Sequence, residues 1–189
     1  MIEDAAIIEE FHRLTLETLT HDGHRGILAG LVHELAGILE NAADLPIDPQ
    51  LDITEGETAS SEGLAISPRQ AAMCTDDFQR TAIFLRGLND AIVEAVESRS
   101  PKPVRVLYAG TGPYATLAIP LMTVFPPEKV RFTLLDIHPV SIASTKSVVH
   151  RLGLERSVEA YALADACEYI IPGDATPDII LSETMSTAL

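Results

Sequence analysis

The run Val104-Arg105-Val106-Leu107-Tyr108-Ala109-Gly110-Thr111-Gly112-Pro113-Tyr114-Ala115 decides the fold. Its opening residues are rich in Val and Leu and read as a buried strand. Gly-Thr-Gly then turns the chain, and Ala115 to Met122 reads as a helix. Strand, tight glycine turn and helix in that order open a nucleotide-binding α/β unit. Glycine reaches positive φ without steric cost and carries no Cβ, so backbone can come close to a ligand. Gly110, Gly112 and Ala115 fit G-x-G-x-x-G/A. Two glycines in such a turn can also serve the turn alone, so the pattern gains its weight from the residues downstream of it.

Val130 to Asp136 reads as a second strand that ends in an acid, 24 residues beyond Gly112. A carboxylate there can accept the hydroxyl protons of a ribose. Ile137-His138-Pro139 turns the chain, with His138 as a turn residue rather than a base. Ser141 to Leu152 is a crossover helix stopped by Gly153, and Val158 to Leu163 is a third strand with Asp165-Ala166 at its end. Cys167 to Ile171 reads as a short helix. Pro177 to Glu183 is a fourth strand, again ending in an acid. This alternation predicts an α/β fold with a Rossmann-like, mostly parallel sheet of about four strands in order 3-2-1-4. Open parallel sheets bind ligands at the carboxyl ends of their strands. Gly110, Gly112, Asp136, Asp165 and Glu183 should therefore converge. Each strand-ending acid could alone be a turn or helix cap; their coincidence favours a site.

Upstream, residues 2–40 carry apolar positions at helical spacing, with a break at His21-Asp22-Gly23-His24-Arg25-Gly26. Residues 41–66 lose the periodicity at Pro46, Pro49, Gly56 and Gly63 and read as a loop. Ser67-Pro68 is a helix start, and one helix is expected from there to about Glu97, with Asp76-Asp77-Phe78-Gln79-Arg80-Thr81 inside it. Ser98 to Pro103 links it to the first strand. The expected organisation is an N-terminal helical segment, 1–100, and a cofactor-binding domain, 101–189. His21, His24 and His33 match no familiar metal-ligand spacing, and no metal is expected.

With 47% apolar residues among 189, the chain can bury a sizeable core. Its formal charge is −15, from 28 acidic against 13 basic residues. That balance argues against nucleic-acid binding, which relies on clustered Lys and Arg, and is compatible with a basic peptide or a cationic small molecule. Cys74 and Cys167 form no C-x-x-C pair and read as reduced thiols. The acidic start Met1-Ile2-Glu3-Asp4 has no basic segment or long apolar run, so no signal peptide or membrane span is expected, and the cytoplasm is the expected compartment.

Residues 67–189 resemble the class I S-adenosylmethionine-dependent methyltransferases. Val106-Leu107-Tyr108-Ala109-Gly110-Thr111-Gly112 is similar to their glycine motif, Leu134-Leu135-Asp136 to their ribose-binding motif, and Ala164-Asp165-Ala166 to the segment framing the adenine. Two features resemble the protein arginine methyltransferases: Asp76-Asp77-Phe78-Gln79-Arg80-Thr81, like the helix whose Arg holds the methionine carboxylate, and Ser182-Glu183-Thr184-Met185, like the start of an acidic loop that grips a guanidinium. The resemblance implies S-adenosylmethionine as cofactor. It implies Arg80, Ala109, Gly110, Thr111, Gly112, Asp136, Ile137, Asp165 and Ala166 as its contacts, and Glu183 as the catalytic residue facing the methyl acceptor, a small molecule or a peptide. The family usually has an acid where Tyr108 stands and a glycine where Tyr114 stands. The Gly-Thr-Gly-Pro run also resembles nicotianamine synthases. A class I fold has further strands after the fourth, so this chain is expected to lack the C-terminal ones.

Two other classes stay open on the sequence. G-x-G-x-x-A with a strand-end acid suits an NAD-binding oxidoreductase equally well, although Arg80 and Ser182 to Met185 have no role there. A non-catalytic module that dimerises, or completes another chain, would account for the missing strands.

Overall fold

A computed structural model describes residues 2–45, 52–60, 63–99 and 102–184. Residues 100–101 of the expected linker, residues 46–51 and 61–62 of the expected loop, and Met185 lie outside the described residues.

Two helices come first, α1 (Ile2–Thr20) and α2 (Arg25–Ala42), separated at the break expected from the sequence. The loop region holds a small antiparallel ribbon, β1 (Thr58–Ser60) and β2 (Gly63–Ala65), with Thr58 opposite Ala65. The sequence does not announce it, because these residues show no apolar alternation. Helix α3 (Pro68–Met73) begins as expected: the Ser67 hydroxyl accepts from the Gln70 N–H at 3.1 Å, and the Gln70 side chain accepts from the Ser67 N–H at 3.0 Å. The single long helix expected here is instead two. A 3-10 turn, Cys74–Asp76, follows α3, and Asp77 leaves helical geometry at ψ 82°. The Asp77 carboxylate then accepts from the Arg80 N–H at 3.1 Å and starts α4 (Phe78–Arg99).

Strand β3 (Val104–Ala109) leads into the glycine turn, but the helix after it is shorter than expected: α5 spans Ile119–Val124, not Ala115 to Met122. Ala115 takes φ +43°, Pro113 and Pro120 each lack an N–H, and residues 112–118 run as successive turns. Strand β4 (Val130–Asp136), helix α6 (Pro139–Arg151) and strand β5 (Val158–Leu163) follow. No helix forms at Cys167 to Ile171. The Asp165 side chain caps the Cys167 N–H at 2.9 Å, giving one turn, and Pro172 disfavours helical backbone at Ile171. The chain then reaches β6 (Ile179–Ser182).

The four long strands form an all-parallel sheet in order β5-β4-β3-β6. One face carries Val104, Val106, Tyr108, Val130, Phe132 and Leu134. These pack with Phe11 and Leu14 of α1, Leu35 and Leu39 of α2, Leu85 and Ile92 of α4, and Val148 and Val149 of α6. The helical segment and the sheet thus share one core. The other face carries Leu107, Ala109 and Leu135, covered by residues from Ala162 to Ile171 without a helix. Ile180 on that side is 62% exposed. Among the described residues no helix is long and apolar enough to cross a membrane.

Candidate functional site

The carboxyl ends of the four parallel strands open on a cavity of about 490 Å³, within the range of small-molecule sites. Across the sheet, the cavity runs from the Asp165-Ala166 turn after β5, past Asp136 at the end of β4 and the glycine turn after β3, to Glu183 after β6. With strands about 4.8 Å apart, Asp136 and Glu183 mark a span of about 10 Å. Arg80 on α4 and Ile137 complete the wall from the residues the sequence singled out. Ala109 does not line the cavity: its side chain is buried in the second-face cluster with Leu107 and Leu135. The ribbon β1–β2 contributes Ser60, Gly63, Leu64 and Ala65 to the rim.

Asp136 is buried and holds the turn together. One carboxylate oxygen accepts from the Gly112 N–H at 2.9 Å, the other from the His138 N–H at 2.8 Å. The Gly110 and Thr111 N–H groups donate to the Leu135 carbonyl at 2.8 and 3.2 Å, and the Ala115 N–H to the Thr111 carbonyl at 3.1 Å. The Gly110, Thr111 and Gly112 donors are therefore taken by the end of β4. Gly110 at φ +76° and Gly112 at φ +59° make this geometry possible, and a Cβ on Gly110 would lie 3.1 Å from the Glu183 carbonyl oxygen.

At the other end, Glu183 is held through both carboxylate oxygens. Arg80 donates to one and the Tyr108 hydroxyl to the other. Tyr108 is fully buried, and burial first, then the charge of Glu183, pushes its hydroxyl well above the ordinary phenol range, so it stays a donor. Arg80 also lies over the Phe84 ring, 5.4 Å from its centroid. Sequence reasoning passes over the Tyr108–Glu183 contact because it depends on the register of β3 against β6, which sets Tyr108 beside Leu181. The acid beside Tyr108 is thus supplied by the residue that follows β6.

His138 and Ser141, read from the sequence only as a turn residue and a helix residue, also line the cavity, and so do Cys74 and Cys167. Burial raises the Cys74 thiol above its usual range, while Cys167 is exposed. Among the described residues no group of three or more His, Cys, Asp or Glu is placed to hold a metal ion. No family model, curated protein or solved structure matches this chain.

Proposed function

We propose that the cavity binds S-adenosylmethionine and that the protein is a methyltransferase. The observation carrying this reading is the fixed order of groups along the sheet edge: an acid fit for ribose hydroxyls at Asp136, then a tight glycine turn, then a cation and a carboxylate side by side at Arg80 and Glu183. A nucleoside joined to a zwitterionic amino acid matches that order. Arg80 gives Glu183 one hydrogen bond, and a guanidinium has five N–H donors, so it can also hold a ligand carboxylate. The residues present fit the cofactor.

The sulfonium of S-adenosylmethionine supplies an electrophilic methyl group when bound. The chain's part is orientation: Asp136 fixes the sugar end, Arg80 the carboxylate end, and the glycine turn lets backbone lie close between them. Holding donor and acceptor in line is worth about 7–11 kcal/mol in favourable models. Glu183, gripped at both oxygens, is placed to orient a cationic acceptor group. The glycine turn disfavours the dinucleotide alternative. A pyrophosphate binds free N–H groups of such a turn and of the helix N-terminus just after it, but here the Gly110, Thr111, Gly112 and Ala115 N–H groups already have partners and α5 starts only at Ile119.

Isothermal titration with S-adenosylhomocysteine and, in parallel, NAD tests the reading. Micromolar binding of the first without the second is expected. Binding of NAD alone, or of neither, overturns it.

A further inference from the structure

We propose that His138 and Ser141 form a hydroxyl-binding subsite for the sugar of a nucleoside ligand, distinct from the contact made by Asp136. The inference rests on the nucleoside reading above and adds two residues to it. His138 directly precedes α6 and Ser141 lies in its first turn; the helix start has no side-chain cap. Both residues line the cavity, yet His138 is 8% and Ser141 1% exposed. His138 Nε2 and Ser141 Oγ have no hydrogen-bond partner among the described residues. Buried polar atoms are nearly always paired, and an orphaned one calls for a reason. Two of them beside Asp136, in the wall of one cavity, point to a ligand that pairs them.

The chemistry narrows that ligand. His138 Nδ1 lies 3.3 Å from an Asp136 carboxylate oxygen; in a neutral ring with its proton on that side, Nε2 is an acceptor. Ser141 Oγ can donate and accept. An acceptor, a donor–acceptor and a carboxylate together suit vicinal hydroxyls. A phosphate would meet the Asp136 charge, and an apolar group would leave both atoms unpaired. Two other buried hydroxyls without partners among the described residues, Ser144 and Thr18, do not line the cavity, so Ser144 serves as a control.

The test titrates the full chain and the variants His138→Phe, His138→Gln, Ser141→Ala and Ser144→Ala with adenosine, 2′-deoxyadenosine, 3′-deoxyadenosine and S-adenosylhomocysteine. The unmodified chain should prefer adenosine to one or both deoxy sugars by about tenfold, the size of one lost hydrogen bond. His138→Phe and Ser141→Ala should lose about that affinity for adenosine and flatten the sugar preference. His138→Gln, whose amide can reach the Nε2 position, should keep most of both. Ser144→Ala should bind normally. Ser141→Ala without ligand should melt no lower than the unmodified chain, because it removes an unpaired buried hydroxyl. Normal affinity and sugar preference in His138→Phe and Ser141→Ala, or an equal loss in Ser144→Ala, overturns the subsite while S-adenosylhomocysteine binding keeps the wider reading. An unmodified chain that binds no nucleoside overturns both.

Discussion

Replacing Tyr108 with Phe removes one oxygen from a fully buried ring and leaves the ring's packing in place. The hydroxyl's bond to the Glu183 carboxylate is lost. A hydrogen bond to a charged group is worth about 1.5–3 kcal/mol. Glu183 keeps its Arg80 partner and is 13% exposed at the side chain, so the lower part of that range applies, about 1.5–2 kcal/mol. For a chain of this size the melting temperature should fall by about 3–8 °C. Thermal unfolding followed by circular dichroism reads the shift, and urea unfolding gives the free energy. A double-mutant cycle with Glu183→Gln isolates the contact; its coupling should be about 1–2 kcal/mol. A Tyr108→Phe melt within about 1 °C of the unmodified chain, together with additive effects in the cycle, would refute the claim that Tyr108 holds Glu183 in place.

Asp136→Ala and Arg80→Ala should each weaken S-adenosylhomocysteine binding by about 1.5–3 kcal/mol, read by calorimetry; unchanged affinity in both would sink the site assignment. Gly153 sits at φ +67° with nothing within 4 Å of where a Cβ would lie, whereas Gly110 at φ +76° has the Glu183 carbonyl 3.1 Å away. Gly153→Ala should therefore cost about 1 kcal/mol of conformational strain and Gly110→Ala clearly more, compared by urea unfolding; equal costs would remove the argument for close approach at the glycine turn. Because burial raises the Cys74 thiol, less of it is thiolate at pH 8 than for an ordinary cysteine. Iodoacetamide followed by mass spectrometry should label exposed Cys167 well before Cys74, and S-adenosylhomocysteine should slow both, since both line the cavity.

Local rules carry much of the fold. The Ser67 cap, the break between α1 and α2, and the strands from Val104, Val130 and Val158 follow from patterns that span a few residues. The failures also have local causes. Ala115 at positive φ, between Pro113 and Pro120, delays α5; Asp77 divides one expected helix into two; and Pro172 leaves the chain after Asp165 too short for a helix. The cavity wall is legible wherever a residue sits at a strand's carboxyl end. Ala109 is the exception because neighbouring strand residues face opposite ways, so the residue beside a ligand-facing position points into the sheet's other layer. The Tyr108–Glu183 contact and the orphaned atoms of His138 and Ser141 depend on distant packing, and no spacing in the chain announces them.

The parallel register of β6 also has a kinetic consequence. Each parallel pairing must close a long stretch of chain, and such closures are slow because their entropy is lost before the contacts form. The pairing of β6 with β3 closes the longest stretch within the sheet, and the Arg80–Glu183 contact spans 103 positions. On closure entropy alone, the charge pair should form after the glycine turn and Asp136 have met across 24 positions. A ligand that binds both ends of the cavity selects chains that have finished folding.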